Sequence, residues 1–192
     1  MRKIPLVLLF ILLLVPLRIN AQVISEEQAD KVVLHIQDNI SRINLSLQGF
    51  YYSFEKRLAP MISLYSDLGV GATFGWHMDM GYRWPISPTV ATEGRWYLNY
   101  KNRYEKGKKL LFNAADFLSL QAGYVFKPID RQQAYINSGY FLFTNVGMQR
   151  TWGKHINFEL KFGLGFAYSD ELHAGGTAYN FNLKIGYIFN KP

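Results

Sequence analysis

From His155 to Tyr168 the chain alternates without a break. Ile156, Phe158, Leu160, Phe162, Leu164, Phe166 and Tyr168 fall on one side, and His155, Asn157, Glu159, Lys161, Gly163, Gly165 and Ala167 on the other. Successive side chains of an extended chain point to opposite faces, so this run predicts a strand with one apolar face and one polar or small face. The pattern recurs in Tyr179–Phe189, where alternate apolar residues oppose Asn180, Asn182, Lys184 and Gly186, and again in Ile62–Trp76 and Leu118–Phe126. Several of these runs exceed the roughly 9–11 residues that a tilted strand needs to cross hydrocarbon.

The first 21 residues read differently. Arg2 and Lys3 lead into an apolar run from Leu6 to Val15, then Pro16 and Ile19-Asn20-Ala21 before Gln22. That is the order of a secretory signal peptide, and the run is too short for a membrane helix. The expected organisation is a signal peptide over 1–21 and one β-barrel domain over 22–192. Removing Arg2, Lys3 and Arg18 lowers the basic count from 21 to 18 against 14 acids, so the net charge falls to +4. An exported chain with so small an excess argues against a nucleic-acid partner. The chain has no cysteine, which excludes disulfides, thiolate metal sites and a lipid-modified cysteine.

No later stretch is apolar enough for a membrane helix, so a spanning structure would have to be a closed barrel. Alternation alone also suits a soluble exported barrel that holds an apolar ligand inside. Glycine-rich polar faces and aromatic ends of the apolar faces favour the membrane form, with Trp76, Tyr97, Tyr124, Tyr168, Tyr179 and Tyr187 as girdles. The strands expected are Ile43–Phe54, Met61–Trp76, Thr89–Leu98, Phe117–Phe126, Gly139–Arg150, His155–Tyr168 and Tyr179–Phe189. Single-chain bacterial barrels have even strand numbers, so Lys31–Gln37 is expected as the eighth, against a short helix from Ser25 with Gln28 as its capping box. With both ends in the periplasm, Lys56–Pro60 and Thr151–Lys154 become periplasmic turns, and Asn99–Asp116 is long for its side. Phe189 lies three residues before the end, displaced from the usual terminal aromatic. The fold class is therefore an all-β, antiparallel transmembrane barrel of about eight strands, located in the cell outer membrane and in contact with its lipids.

The segments Arg95-Trp96-Tyr97, Tyr100, Lys101, Arg103, Lys106-Gly107-Lys108, Leu118-Ser119-Leu120 and Gly123-Tyr124, with Gly-aromatic strand ends such as Gly186-Tyr187, resemble a porin-like family of small Gram-negative outer-membrane barrels. The likeness spans about Ile43 to Phe189. It implies the fold and the location, and brings no reaction or ligand.

The chemistry-bearing residues are scattered. His35, His77, His155 and His173 lack metal-site spacing, and Gly69-Val70-Gly71 with Gly75 lacks the strand–loop–helix context of a nucleotide loop. A lipid-modifying outer-membrane enzyme is the rival class, with His155 and Glu159, or His173 near Ser169 and Asp170, as its nearest groups. Residues i and i+4 on a strand lie roughly 13 Å apart, so no catalytic, cofactor-binding or metal residue is assigned, no cofactor is expected, and the chain is read as a non-enzyme.

Asp67, Glu93, Arg95, Glu159, Lys161 and Lys184 all fall on polar faces and should meet inside the ring, pairing and filling it. A structural or interaction role follows, the alternative being a narrow transport or ligand-binding barrel. Lys101, Arg103, Lys106, Lys108 and Lys109 form the one basic run, read as a solvated connection or as a contact for anionic headgroups or a periplasmic partner.

Overall fold

The computed structural model describes residues 34–72, 75–77, 81–83, 86–129 and 138–190, with 75–77 and 81–83 as backbone alone. The expected signal peptide and the first half of Lys31–Gln37 lie outside the described residues. Among the described residues ten strands run in chain order: β1 (Ile40–Ser46), β2 (Gly49–Ala59), β3 (Ile62–Ala72), β4 (Gly75–His77), β5 (Gly81–Arg83), β6 (Ile86–Tyr97), β7 (Asp116–Val125), β8 (Gly139–Trp152), β9 (Ile156–Ser169) and β10 (Ala174–Ile188). Helix α1 (Tyr100–Glu105) and a 3₁₀ turn, Leu111–Asn113, stand between β6 and β7. Eight of the strands close into an antiparallel ring in the order β1-β10-β9-β8-β7-β6-β3-β2, and among the described residues β4 and β5 pair only with each other.

The strand count agrees with the sequence, but the eighth strand comes from elsewhere. Residues 34–39 form no strand; the stretch expected as Ile43–Phe54 divides at Leu47–Gln48 into β1 and β2. The apolar phase slips there, from Ile43, Leu45 and Leu47 to Phe50, Tyr52 and Phe54, and a strand cannot change faces without turning. Gly49 follows at φ +154°, where a Cβ would strike the Val70 carbonyl oxygen. The strand expected to reach Trp76 stops at Ala72, because Gly75–His77 belongs to the separate ribbon. At the other extreme β10 begins at Ala174, five residues before the expected start.

Cross-strand partners fix the stagger of the ring. A path from Ile188 runs through Arg42, Ser53, Asp67, Ala91, Gly123, Phe141 and Ala167 to Gly176, back on β10. The offset, 188 − 176 = 12 residues, is large for eight strands. It leans them to about 45° and widens the bore beyond that of a less staggered ring.

The faces are sorted inside out relative to a soluble barrel. Arg42, Glu55, Glu93, Arg95, Glu159, Lys161 and Lys184 are buried within the ring, whereas Leu45, Leu68, Leu120, Val146, Phe162, Leu164 and Ile185 are exposed on its exterior. Apolar faces turned inward around a ligand are thus contradicted. Of the expected girdle residues, Tyr179 is 84% exposed and Tyr187 half so. Tyr168 stacks on Tyr140, and Tyr124 donates to Asp170 at 2.6 Å. Tyr97 is a correction: it is buried inside, and its hydroxyl donates to Glu55 at 2.5 Å. Its neighbour Trp96 takes the outer position, as alternation requires. The side chain of Trp76 lies outside the described residues.

Candidate functional site

The ring has a near end, where residues 34–39, the β2–β3 and β8–β9 turns and the β6–β7 connection gather, and a far end carrying the Leu47–Gln48 turn and residues 170–173. Its interior changes character between them.

The near half is filled by charge. Arg95 lies 3.2 Å from Glu93 and 2.9 Å from Glu159, Lys161 lies 2.7 Å from Glu93, and Lys184 lies 2.5 Å from Asp67. All six inward charges read from the sequence therefore meet. Tyr65 stands among them, with the Arg95 guanidinium 3.6 Å above its ring and Lys184 Nζ 5.1 Å away. A buried charge is tolerable only when paired and hydrogen-bonded, and each of these has its opposite within reach. Sequence reasoning missed a further pair, Arg42 with Glu55, because the turn that brings β1 against β2 was unread. Ser63 and Asn113 also donate to Glu55, at 2.8 and 3.0 Å.

Asn113 belongs to a plug. The long β6–β7 connection folds back over the near end and buries Phe112, Asn113, Ala114 and Ala115. Phe112 packs on Ile40 and Ile188, and Ile36 joins Tyr97, Tyr100, Ala115 and Phe117. Polar groups seal the rest. Gln149 donates to the Phe112 carbonyl at 2.5 Å, Thr151 to that of Leu111 at 2.7 Å, and Gln37 N–H to Asn113 Oδ1 at 2.6 Å. Phe112 and Asn113 both adopt positive φ, 53° and 63°, a conformation that asparagine tolerates and phenylalanine rarely does. Burial, reinforced by the Glu55 carboxylate, pushes the Tyr100 phenol above its ordinary range. The basic run lies on the outer surface of this connection, where Lys101 reaches Glu105 at 3.9 Å and Arg103 bonds the Lys109 carbonyl.

The far half is hollow. A cavity of about 1010 Å³ lies above the Asp67–Lys184 pair, walled by Gly71, Ala91, Ala167 and Gly176 with Phe141 and Phe143. Its floor carries Gln121, Asn180 and Asn182, and Asn180 donates to Gln121 and Asn145 at 3.2 and 2.8 Å. The expectation that paired charges fill the ring is therefore corrected. The pairs occupy one half, and in the other Gly71, Ala91, Ala167 and Gly176 leave the bore open.

Of the residues considered for catalysis, His155 and Glu159 engage different partners. His155 Nδ1 faces the Ile188 carbonyl at 3.0 Å and stacks on Tyr187, while Glu159 is held by Arg95. Asp170 accepts from Tyr124, and Ser169 Oγ accepts from the Leu172 N–H. His35 is exposed, and the side chain of His77 lies outside the described residues. Among the described residues no three His, Cys, Asp or Glu side chains gather as a metal ion requires. No family model matches the chain, and neither the curated proteins nor the solved structures contain a match.

Proposed function

We propose that this chain is an integral outer-membrane β-barrel, delivered by a cleaved signal peptide, with its near end in the periplasm and its far end outward. It serves as a plugged receptor-like or structural barrel and not as a diffusion channel. The observation that carries this reading is the sorting of faces: an apolar exterior around an ion-paired interior is favourable in lipid and unfavourable in water. On β9 the outer face runs from Ile156 to Tyr168. At about 3.3 Å per residue and a tilt near 45°, that run rises roughly 28 Å, close to the apolar band of about 25 Å that such barrels present. Trp96, Trp152 and Tyr187 ring its lower edge, and Tyr124, Tyr140, Tyr168 and Tyr179 its upper edge. Lys56 and Arg150 mark the lower boundary with charge.

The test is fractionation followed by gel migration with and without boiling. Recovery in the outer membrane with a heat-dependent shift supports the reading; release as soluble periplasmic material without a shift overturns it. The plug adds a second expectation, that the reconstituted protein gives no steady conductance across a planar bilayer.

A further inference from the structure

Among the described residues the ring is complete only in its lower part. β1 pairs with β10 from Arg42↔Ile188 to Ser46↔Lys184, and the contact ends with Leu47 N–H on the Leu183 carbonyl at 3.2 Å and Gln48 Nε2 on the Phe181 carbonyl at 3.0 Å. Above that point β10 continues to Ala174, bonded to β9 alone among the described residues. Since the Leu183 and Phe181 carbonyls point towards β1, the period of two turns the backbone groups of Tyr179 and Thr177 the same way, onto an edge that pairs with no strand among the described residues. Among the described residues the opposite rim is low. It consists of the Leu47–Gln48 turn and the end of β3, where Ala72 N–H bonds the Gln48 carbonyl at 2.5 Å.

The cavity reaches this gap. Its lining includes Leu47, Tyr179 and Phe181, which alternation assigns to the outer face of the ring, together with the inward Ala178, Asn180 and Asn182. Among the described residues no strand covers this edge of β10, so the cavity opens sideways between β10 and the β1–β2 turn. Leu47, at the tip of that turn, is 63% exposed, an apolar tip level with Leu68 and Phe181 within the apolar band.

We propose that the cavity is a lateral binding site for a single-chain lipid of the surrounding outer leaflet, bearing an uncharged, hydrogen-bond-donating polar group such as a hydroxyl or amide. The proposal rests on the membrane reading above. Three observations define the ligand. Lys184 and Asp67 neutralise each other, so the floor offers no net charge. Asn182 is 93% buried, its Nδ2 is spent on Gln48 Oε1 at 2.9 Å, and its Oδ1 has no partner among the described residues. A buried acceptor left open calls for a donor. The walls of glycine, alanine and phenylalanine and the apolar rim of Leu47 and Phe181 suit a hydrocarbon chain leaving through the gap. The volume lies at the top of the roughly 300–1,000 Å³ range of small-molecule sites. The polar group would rest on Asn182 and the chain would pass between Tyr179 and Leu47 into the bilayer.

The experiment is native mass spectrometry of the full barrel from lauryldimethylamine oxide, whose headgroup donates no hydrogen bond, with monolauroylglycerol as the probe and glycerol as its chain-free counterpart. One monolauroylglycerol should be retained per barrel, and glycerol should not. Ala178→Trp, which fills the cavity, should weaken retention by at least about tenfold, and Asn182→Leu by about fivefold or more. Val146→Trp, on the outer face, should leave it unchanged. Equal retention by Ala178→Trp, equal binding of glycerol, or no retention by a barrel that still shows its heat-dependent gel shift would each overturn the proposal. Loss of the shift in the wild-type protein would instead sink the membrane reading, so the two failures are distinguishable. Each variant is scored only on material that shows the shift, and if Ala178→Trp does not fold, Ala91→Leu fills the same space from the opposite wall.

Discussion

The two halves of the ring are built on the same eight strands, yet one is packed solid and the other is a cup. In the near half the inward positions hold Arg42, Glu55, Tyr65, Glu93, Arg95 and Phe117; in the far half the same faces carry Gly71, Ala91, Gly123, Gly165, Ala167 and Gly176. Stagger sets the bore along the whole length, so a wide barrel is either filled by long side chains or left empty by short ones. The difference is one of side-chain size at fixed backbone geometry, and it separates a charge-filled half from a hollow one.

Substitutions should expose that asymmetry. The largest effect belongs to Arg95→Ala, which strands Glu159, leaves Glu93 with Lys161 alone in the filled half and should lower unfolding stability in urea by about 3–5 kcal/mol. An unchanged midpoint would mean the charges are hydrated, not packed. Next comes Gly147→Ala, whose methyl would press on the buried Phe117 ring; a loss of about 1–3 kcal/mol is expected from overpacking in the same assay. The smallest belongs to Ala91→Leu in the cup, expected to change stability by less than about 1 kcal/mol because its added atoms enter empty space. A loss as large as that of Gly147→Ala would erase the distinction between the halves.

The charged half was legible because alternation assigns a face to every residue, and six inward charges of both signs had to meet. The Arg42–Glu55 pair was not recovered, although its signal was present: the apolar phase reverses across Gln48-Gly49, which marks a turn. Tyr97 was misassigned because Trp96 and Tyr97 are adjacent and only one of two neighbours can face outward. The plug carries no periodicity to read, and Phe112 enters it with a left-handed backbone that its residue type does not announce. The cup was hidden for a different reason. Period gives the face but not the height, and the height of each glycine depends on the stagger between strands far apart in sequence.

The seam between β1 and β10 joins the two ends of the described fold, and Asn190 clasps it by accepting the Ser41 N–H across 149 residues of sequence and donating to the Asn39 carbonyl at 2.6 Å. No early hairpin can close the circle in advance of its last strand, so the loop-closure entropy is settled in one late step. Until then both outer strands expose bare edges to any other chain nearby. A chain closed this way is most exposed to pairing with its neighbours until the final strand arrives.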